Sequence, residues 1–159
     1  MNSVTFVDTS VLCELLSIPG KSSPAKSVEV LEEFDIRWKM GERFVIPVTA
    51  IIETGNHIAQ AEGDRVRAAE RLVRLLREAM SDEGHWIVLE SRWSAAFLAS
   101  LCDGDSTGLS LPHLAAAKVG AGDIAILVER DRFVASTAVG AVEVWTFDRG
   151  LAAHAGGHT

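Results

Sequence analysis

Four carboxylates stand where chemistry could be done: Asp8, Glu53, Asp123 and Asp148. Asp8 closes the apolar run Val4, Thr5, Phe6, Val7, and Asp148 closes the run Val142 to Phe147, so each is delivered at the C-terminal end of a β-favouring stretch. Glu53 falls in the first two turns of the helical pattern after a further apolar run, Phe44 to Ile46, and Asp123 heads another helical pattern after Gly120 and Gly122. Brought into one partly dry crevice, four acids repel one another unless a cation joins them. Hard oxygen donors suit Mg²⁺, with Mn²⁺ able to substitute. Such a cation lowers the pKa of a bound water and neutralises a phosphodiester under attack, so the chemistry implied is hydrolysis of a phosphate ester. Taken singly, each acid has an ordinary role: a helix N-cap for Asp8 or Asp123, a solvated helix position for Glu53, a turn for Asp148. Their joint placement carries the argument.

The elements that must position these acids alternate along the chain. Short strands are expected at Val4–Val7, Phe44–Ile46, Trp86–Leu89 and Val142–Phe147. Helical spacing is expected over Thr9–Leu16, Ala25–Met40, Thr49–Ala61, Arg65–Met80, Ser91–Leu101 and Leu111–Val119, from Asp123 towards Phe133, and over Gly150–Ala155. Strands alternating with helices predict an α/β fold with a parallel sheet and right-handed crossovers. In such a sheet ligands bind outside the carboxyl ends of the strands, the edge to which Asp8 and Asp148 belong.

Size and composition narrow the classes. With 159 residues, 48% of them hydrophobic, the chain suits one domain spanning residues 1–159. No apolar stretch approaches the ~20 residues of a membrane span, and no secretory leader opens the chain, so a cytoplasmic protein is expected. Cys13 and Cys102 have no CxxC spacing and sit in apolar helical patterns, which fits a reducing compartment and not a zinc site. A net charge of −7 argues against indiscriminate nucleic-acid binding through a basic surface. It leaves room for an enzyme that approaches phosphates through bound cations.

Other features are weaker. Asp103, Gly104, Asp105, Ser106, Thr107 spells a phosphatase-like DxDxT, but the residues before it are helical where that motif needs a strand. The same loop begins like a calcium loop, yet Leu114 occupies the place of the bidentate acid. No glycine-rich phosphate cradle follows the first strand. Arg65, Arg67, Arg71, Arg74 and Arg77 form a basic run that reads first as a solvated face, with Glu70 and Arg74 paired, and second as a contact for RNA or an acidic partner. Asn56 and His57 follow Glu53 closely enough to orient a water or touch substrate. The four tryptophans, Trp38, Trp86, Trp93 and Trp145, sit in apolar patterns and read as core or interface.

With these residues in view, the chain resembles a PIN domain, the metal-dependent nuclease fold of VapC-type toxins. The resemblance is carried by VDTSVL at Val7–Leu12, PVTAIIETGNHIA at Pro47–Ala59, GAGDIAIL at Gly120–Leu127 and VWTFDRGL at Val144–Leu151. It implies a three-layer α/β/α sandwich around a central, mainly parallel twisted sheet of four or five strands. It also implies that Asp8, Glu53, Asp123 and Asp148 are both the metal ligands and the catalytic acids, with supporting hydroxyls from Thr9 or Ser10 and from Thr146. The implied activity is a Mg²⁺- or Mn²⁺-dependent endoribonuclease, commonly a homodimer, whose cognate antitoxin enters the acidic groove. Two other readings stay open: a PIN-like scaffold that binds RNA or protein without cutting, and a Mg²⁺-dependent small-molecule phosphatase.

Overall fold

A computed structural model describes residues 3–81, 84–90, 93–104 and 107–156. Asp105 and Ser106 of the DxDxT loop, the start of the helix expected from Ser91, and His158 lie outside these residues. The chain is α/β, with four strands and eight helices among the described residues. The strands are β1 (Ser3–Val7), β2 (Arg43–Val45), β3 (Trp86–Ile87) and β4 (Ala141–Trp145). They form one sheet in the order β3-β2-β1-β4, and every pair is parallel. The register sets Phe6 opposite Val45 on one side and Val144 on the other.

Alternation along each strand serves two cores. Val7, Phe44, Trp86 and Trp145 face one side, packed with Val11 and Leu12 of α1 (Thr9–Leu15), Val30 and Phe34 of α2 (Pro24–Lys39), Ala50 of α3 (Val48–Gln60) and Ala79 of α4 (Arg65–Ala79). Phe6, Val45, Ile87 and Val144 face the other, packed with Ile126 and Leu127 of α7 (Ala121–Ser136) and Leu151 of α8 (Arg149–His154). A strand buried on both faces reads as a near-continuous apolar run, which is the pattern of Val4–Val7. Helices on both faces give the three layers. Helix α7 is buried nearly all round from Ile124 to Arg130, because its far side packs on Phe97 of α5 (Ala95–Asp103) and Leu114 of α6 (Leu111–Ala116). A helix clothed on all sides shows no amphipathic stripe. Among the described residues no helix is long and apolar enough to cross a membrane.

Several boundaries differ from expectation for visible reasons. Strand β4 stops at Trp145, not Phe147, because the Phe147 amide turns from the sheet to donate to Ser10 Oγ at 2.9 Å. Strand β3 has two residues, not four, as an edge strand paired only with β2. Helix α5 starts at Ala95, capped by Ser94 Oγ accepting from the Phe97 amide, so Trp93 lies ahead of it and is 54% exposed, which excludes the core half of the core-or-interface expectation. Cys102 is exposed too, whereas Cys13 is buried as expected.

The basic run of α4 is mostly solvated, but Arg71 is structural. Its Nε donates to the Leu16 carbonyl at 2.6 Å and its Nη2 to the Ser17 carbonyl at 3.0 Å, so it satisfies free carbonyls where α1 ends. Arg67 pairs with Asp64, and the expected Glu70 to Arg74 pair is not formed. Arg71→Ala should cost about 1–2 kcal/mol in chemical denaturation, as two hydrogen bonds from a charged donor are lost. Arg71→Lys should recover only part, since one ammonium cannot reproduce the fork. An unchanged midpoint for Arg71→Ala would refute the capping role.

Candidate active site

The chain passes from β1 to β2 and β3 on one side, then returns to place β4 on the other, so the strand order reverses between β1 and β4. In open parallel sheets the crevice at such a reversal, outside the strand carboxyl ends, is the usual ligand site. Asp8 follows β1 there, and Thr146, Phe147 and Asp148 follow β4. The Asp8 amide donates to the Trp145 carbonyl at 3.0 Å, carrying the ladder one residue past β1.

A cleft of about 380 Å³ opens at this point, and all four acids line it. Asp8, 3% exposed, lies at its floor as the N-cap of α1. Its Oδ2 accepts from Ser10 Oγ at 2.8 Å and from Thr146 Oγ1 at 2.7 Å. Those hydroxyls are themselves held: Ser10 Oγ accepts from the Phe147 amide, and Thr146 Oγ1 accepts from the Asp148 amide at 2.9 Å. Thr9 Oγ1 donates to Glu53 Oε2 at 2.8 Å, tying α1 to α3. Asp148 caps α8, its Oδ1 accepting from the Leu151 amide at 2.9 Å. Asp123 is the third residue of α7 and not its first, because Ala121 and Gly122 already belong to the helix; its Oδ2 accepts from the Gly120 amide at 3.3 Å. The ordinary capping roles and the convergence are therefore both present in the same side chains.

Gly122 makes room for this arrangement. A Cβ there would overlap Glu53 Oε1, so the carboxylate occupies the space that any other residue would fill. The Thr9, Ser10 and Thr146 hydroxyls all stand among the acids. Asn56 does not: it is exposed and does not line the cleft, since one helical residue separates it from the face that carries Glu53 and His57. Glu14, Cys13, Lys21 and Phe147 do line it, and none of them stood out in the sequence. Lys21 follows Pro19 and Gly20, residues that mark only a break, and the turn's path over the cleft is a tertiary matter. A separate cavity of about 330 Å³ beside Phe97 and Phe133 touches none of the four acids.

Electrostatics follow the geometry. Burial, then the Asp8 charge, push the Asp123 carboxyl from near 3.8 up to about 6; the Gly120 amide opposes this, and Asp148 and Glu53 add to it. Burial pushes the Cys13 thiol up to about 11, against the pull of Lys21. Burial and then Lys21 lower the His57 pKa, against Glu53.

Because folding raises the Asp123 pKa, its stabilising contribution is full below about pH 3.8 and is lost as pH rises through about 6. Without divalent cations, Asp123→Asn should therefore melt above the native chain at about pH 7.5, with the gap closing towards about pH 4. Added Mg²⁺ should narrow the gap at the higher pH by stabilising the native carboxylate. A gap independent of pH would sink this account.

The fold and the cleft define an open parallel α/β protein with an acidic, hydroxyl-braced site at the strand-order reversal. Compared with known proteins, the chain matches no protein-family model and no curated protein.

Proposed function

We propose that the protein is a divalent-metal-dependent endoribonuclease of PIN type, hydrolysing RNA phosphodiesters as the toxin of a toxin–antitoxin pair. One observation carries the reading: four acids from four separate segments, Asp8, Glu53, Asp123 and Asp148, line one cleft at the reversal of strand order. Self-repelling carboxylates gathered at a ligand edge favour a cation and an anionic substrate over a purely structural role. Cytoplasmic location, a homodimer and a cognate antitoxin complete the proposal and rest on the resemblance.

The donor set fits Mg²⁺ or Mn²⁺ in its chemistry, being all hard oxygen at the acids. Among the described residues no three His, Cys, Asp or Glu side chains stand close enough to clasp one ion by themselves. Zinc would need such a clasp; Mg²⁺ is commonly held by one or two carboxylates, with waters and phosphate oxygens completing its shell. Asp8, Glu53, Asp123 and Asp148, which all line the cleft, would hold it. When bound, the cation supplies a nucleophilic water at neutral pH and charge neutralisation at the phosphate. The protein's own contribution is positional. The Ser10 and Thr146 hydroxyls hold Asp8 in one rotamer, and the Thr9 hydroxyl aims Glu53.

Purified protein incubated with labelled total RNA should cut it in Mg²⁺ or Mn²⁺ and not in EDTA. The net charge of −7 favours, as a second reading, a PIN-like scaffold that binds without cutting. Folded protein that binds RNA but leaves it intact in both metals would select that scaffold. Hydrolysis of phosphomonoesters alone would select the phosphatase.

A further inference from the structure

The acidic cleft does not end at the acids. A second cavity of about 370 Å³ opens beside it, between the turn Pro19–Lys21 and the stretch Gln60–Gly63 that joins α3 to α4. Lys21 and His57 line both cavities, so the two form one groove with these side chains at the junction. Among the described residues Lys21 is the only lysine or arginine lining either cavity. Among those residues it joins no ion pair, although five carboxylates share its cleft: Asp8, Glu14, Glu53, Asp123 and Asp148.

The backbone beneath Lys21 is built rigidly. Ile18, fully buried, anchors the turn, its amide donating to the Cys13 carbonyl at 2.9 Å. The Ile18 carbonyl accepts from the Lys21 amide at 3.1 Å and from Ser22 Oγ at 2.8 Å. Ser17 holds a left-handed φ of 48°, Gly20 one of 76°, and Arg71 clamps the Leu16 and Ser17 carbonyls from α4. A non-glycine residue in that conformation is held there by its surroundings. The turn is thus fixed, while the Lys21 side chain it carries is exposed and has no ion-pair partner among the described residues. An exposed cation carried by a fixed turn beside an acidic cleft fits an anion that arrives with the ligand.

We propose that this groove is the track of the RNA strand leaving the acidic cleft, and that Lys21 receives the phosphate next to the one the acids address. The inference deepens the nuclease reading and rests on it. His57, which lines both cavities, stands with Lys21 at their junction. A strand with a charge at every nucleotide meets the groove's one lysine once, so Lys21 is a substrate-positioning residue whose loss weakens binding more than it slows the chemical step. Glu62 also lines the second cavity, and its acidic side chain there limits the track to a short segment.

The test uses the full chain. In an Asp8→Asn background, which keeps the strand uncut, binding of a labelled single-stranded RNA oligonucleotide is followed by anisotropy across a salt series in Mg²⁺. Adding Lys21→Ala should weaken binding about tenfold and reduce the slope of log affinity against log salt by about 0.7, the share of one phosphate contact on a single strand. Lys21→Arg should restore both. With Asp8 intact, Lys21→Ala should raise KM well above any change in kcat. Cleavage with unchanged KM and unchanged salt slope in Lys21→Ala overturns the track and leaves the nuclease standing. Lys21-dependent binding without cleavage by the native chain overturns the nuclease and supports the track. Neither binding nor cleavage overturns both.

Discussion

Asp8→Asn is expected to lower metal-dependent RNA cleavage by about 10³-fold or more while leaving the melting temperature nearly unchanged. Asp8 is the most deeply buried of the four acids, and both hydroxyls that brace it converge on Oδ2. An asparagine oriented with its carbonyl oxygen in that place accepts the same two hydrogen bonds, and asparagine caps a helix as well as aspartate does. The stability change should stay within about 1 kcal/mol. What disappears is the charge, which the fold does not require and the proposed cation would. The pairing of a large loss in rate with a small change in stability is the signature to seek. An Asp8→Asn chain that cuts RNA at the native rate would remove Asp8 from the chemistry and with it the proposed function.

The second large effect is expected at a residue with no functional group. Gly122 lies in the first turn of α7, where alanine is worth up to ~1 kcal/mol over glycine in helix propensity. A Cβ there would overlap Glu53 Oε1 and stand 3.1 Å from Glu53 Cδ. The obstructing atoms are the end of a flexible side chain, so the fold accommodates the methyl by swinging Glu53 aside, at the cost of the Thr9 hydrogen bond. Propensity gained and hydrogen bond lost nearly cancel, and the stability of Gly122→Ala should lie within about 1 kcal/mol of native. Cleavage should fall about 10- to 100-fold because the carboxylate leaves its station, misplacement alone being enough for that loss. Gly55→Ala is the control: it sits on α3 with Glu53, and a Cβ there meets nothing within 4 Å. It should stabilise the helix and spare activity. Full activity in Gly122→Ala would show that the position of Glu53 does not matter to the reaction.

Legibility tracked the range of the interactions involved. The helices α2, α3 and α4 were readable within a residue or two because their caps are local: Ser23 and Asp64 accept from amides three residues on, and Gly41 and Gly63 lie just beyond the helices they follow. The end of β4 is not legible locally, because Thr146 and Phe147 look like strand residues but Phe147 is drawn off the ladder by Ser10, more than a hundred residues away. The apolar pattern places Trp93 in the core or at an interface, and the Ser94 cap, which starts α5 after it, removes the first of these. Asn56 was grouped with Glu53 by sequence distance, whereas the helical turn sends it to solvent and keeps His57 at the cleft. Arg71 was hidden among five arginines, and only the close packing of α4 on the end of α1 distinguishes it.

The sequence by itself determined that this is an α/β chain, which of its acids sit at strand ends and helix starts, and hence the hard-oxygen character of any site they form. Period-two and period-three-to-four patterning, capping and turn chemistry act between near neighbours, so they are written locally. Only the tertiary structure decided the strand order β3-β2-β1-β4, which puts the crevice between Asp8 and Asp148, the hydroxyl lattice that fixes Asp8, the space at Gly122 that admits Glu53, and the turn that holds Lys21 over the groove. Each of these depends on pairing and packing between segments far apart in the chain, and a parallel sheet, whose strands never meet through a tight turn, leaves no local trace of which neighbour each strand will choose.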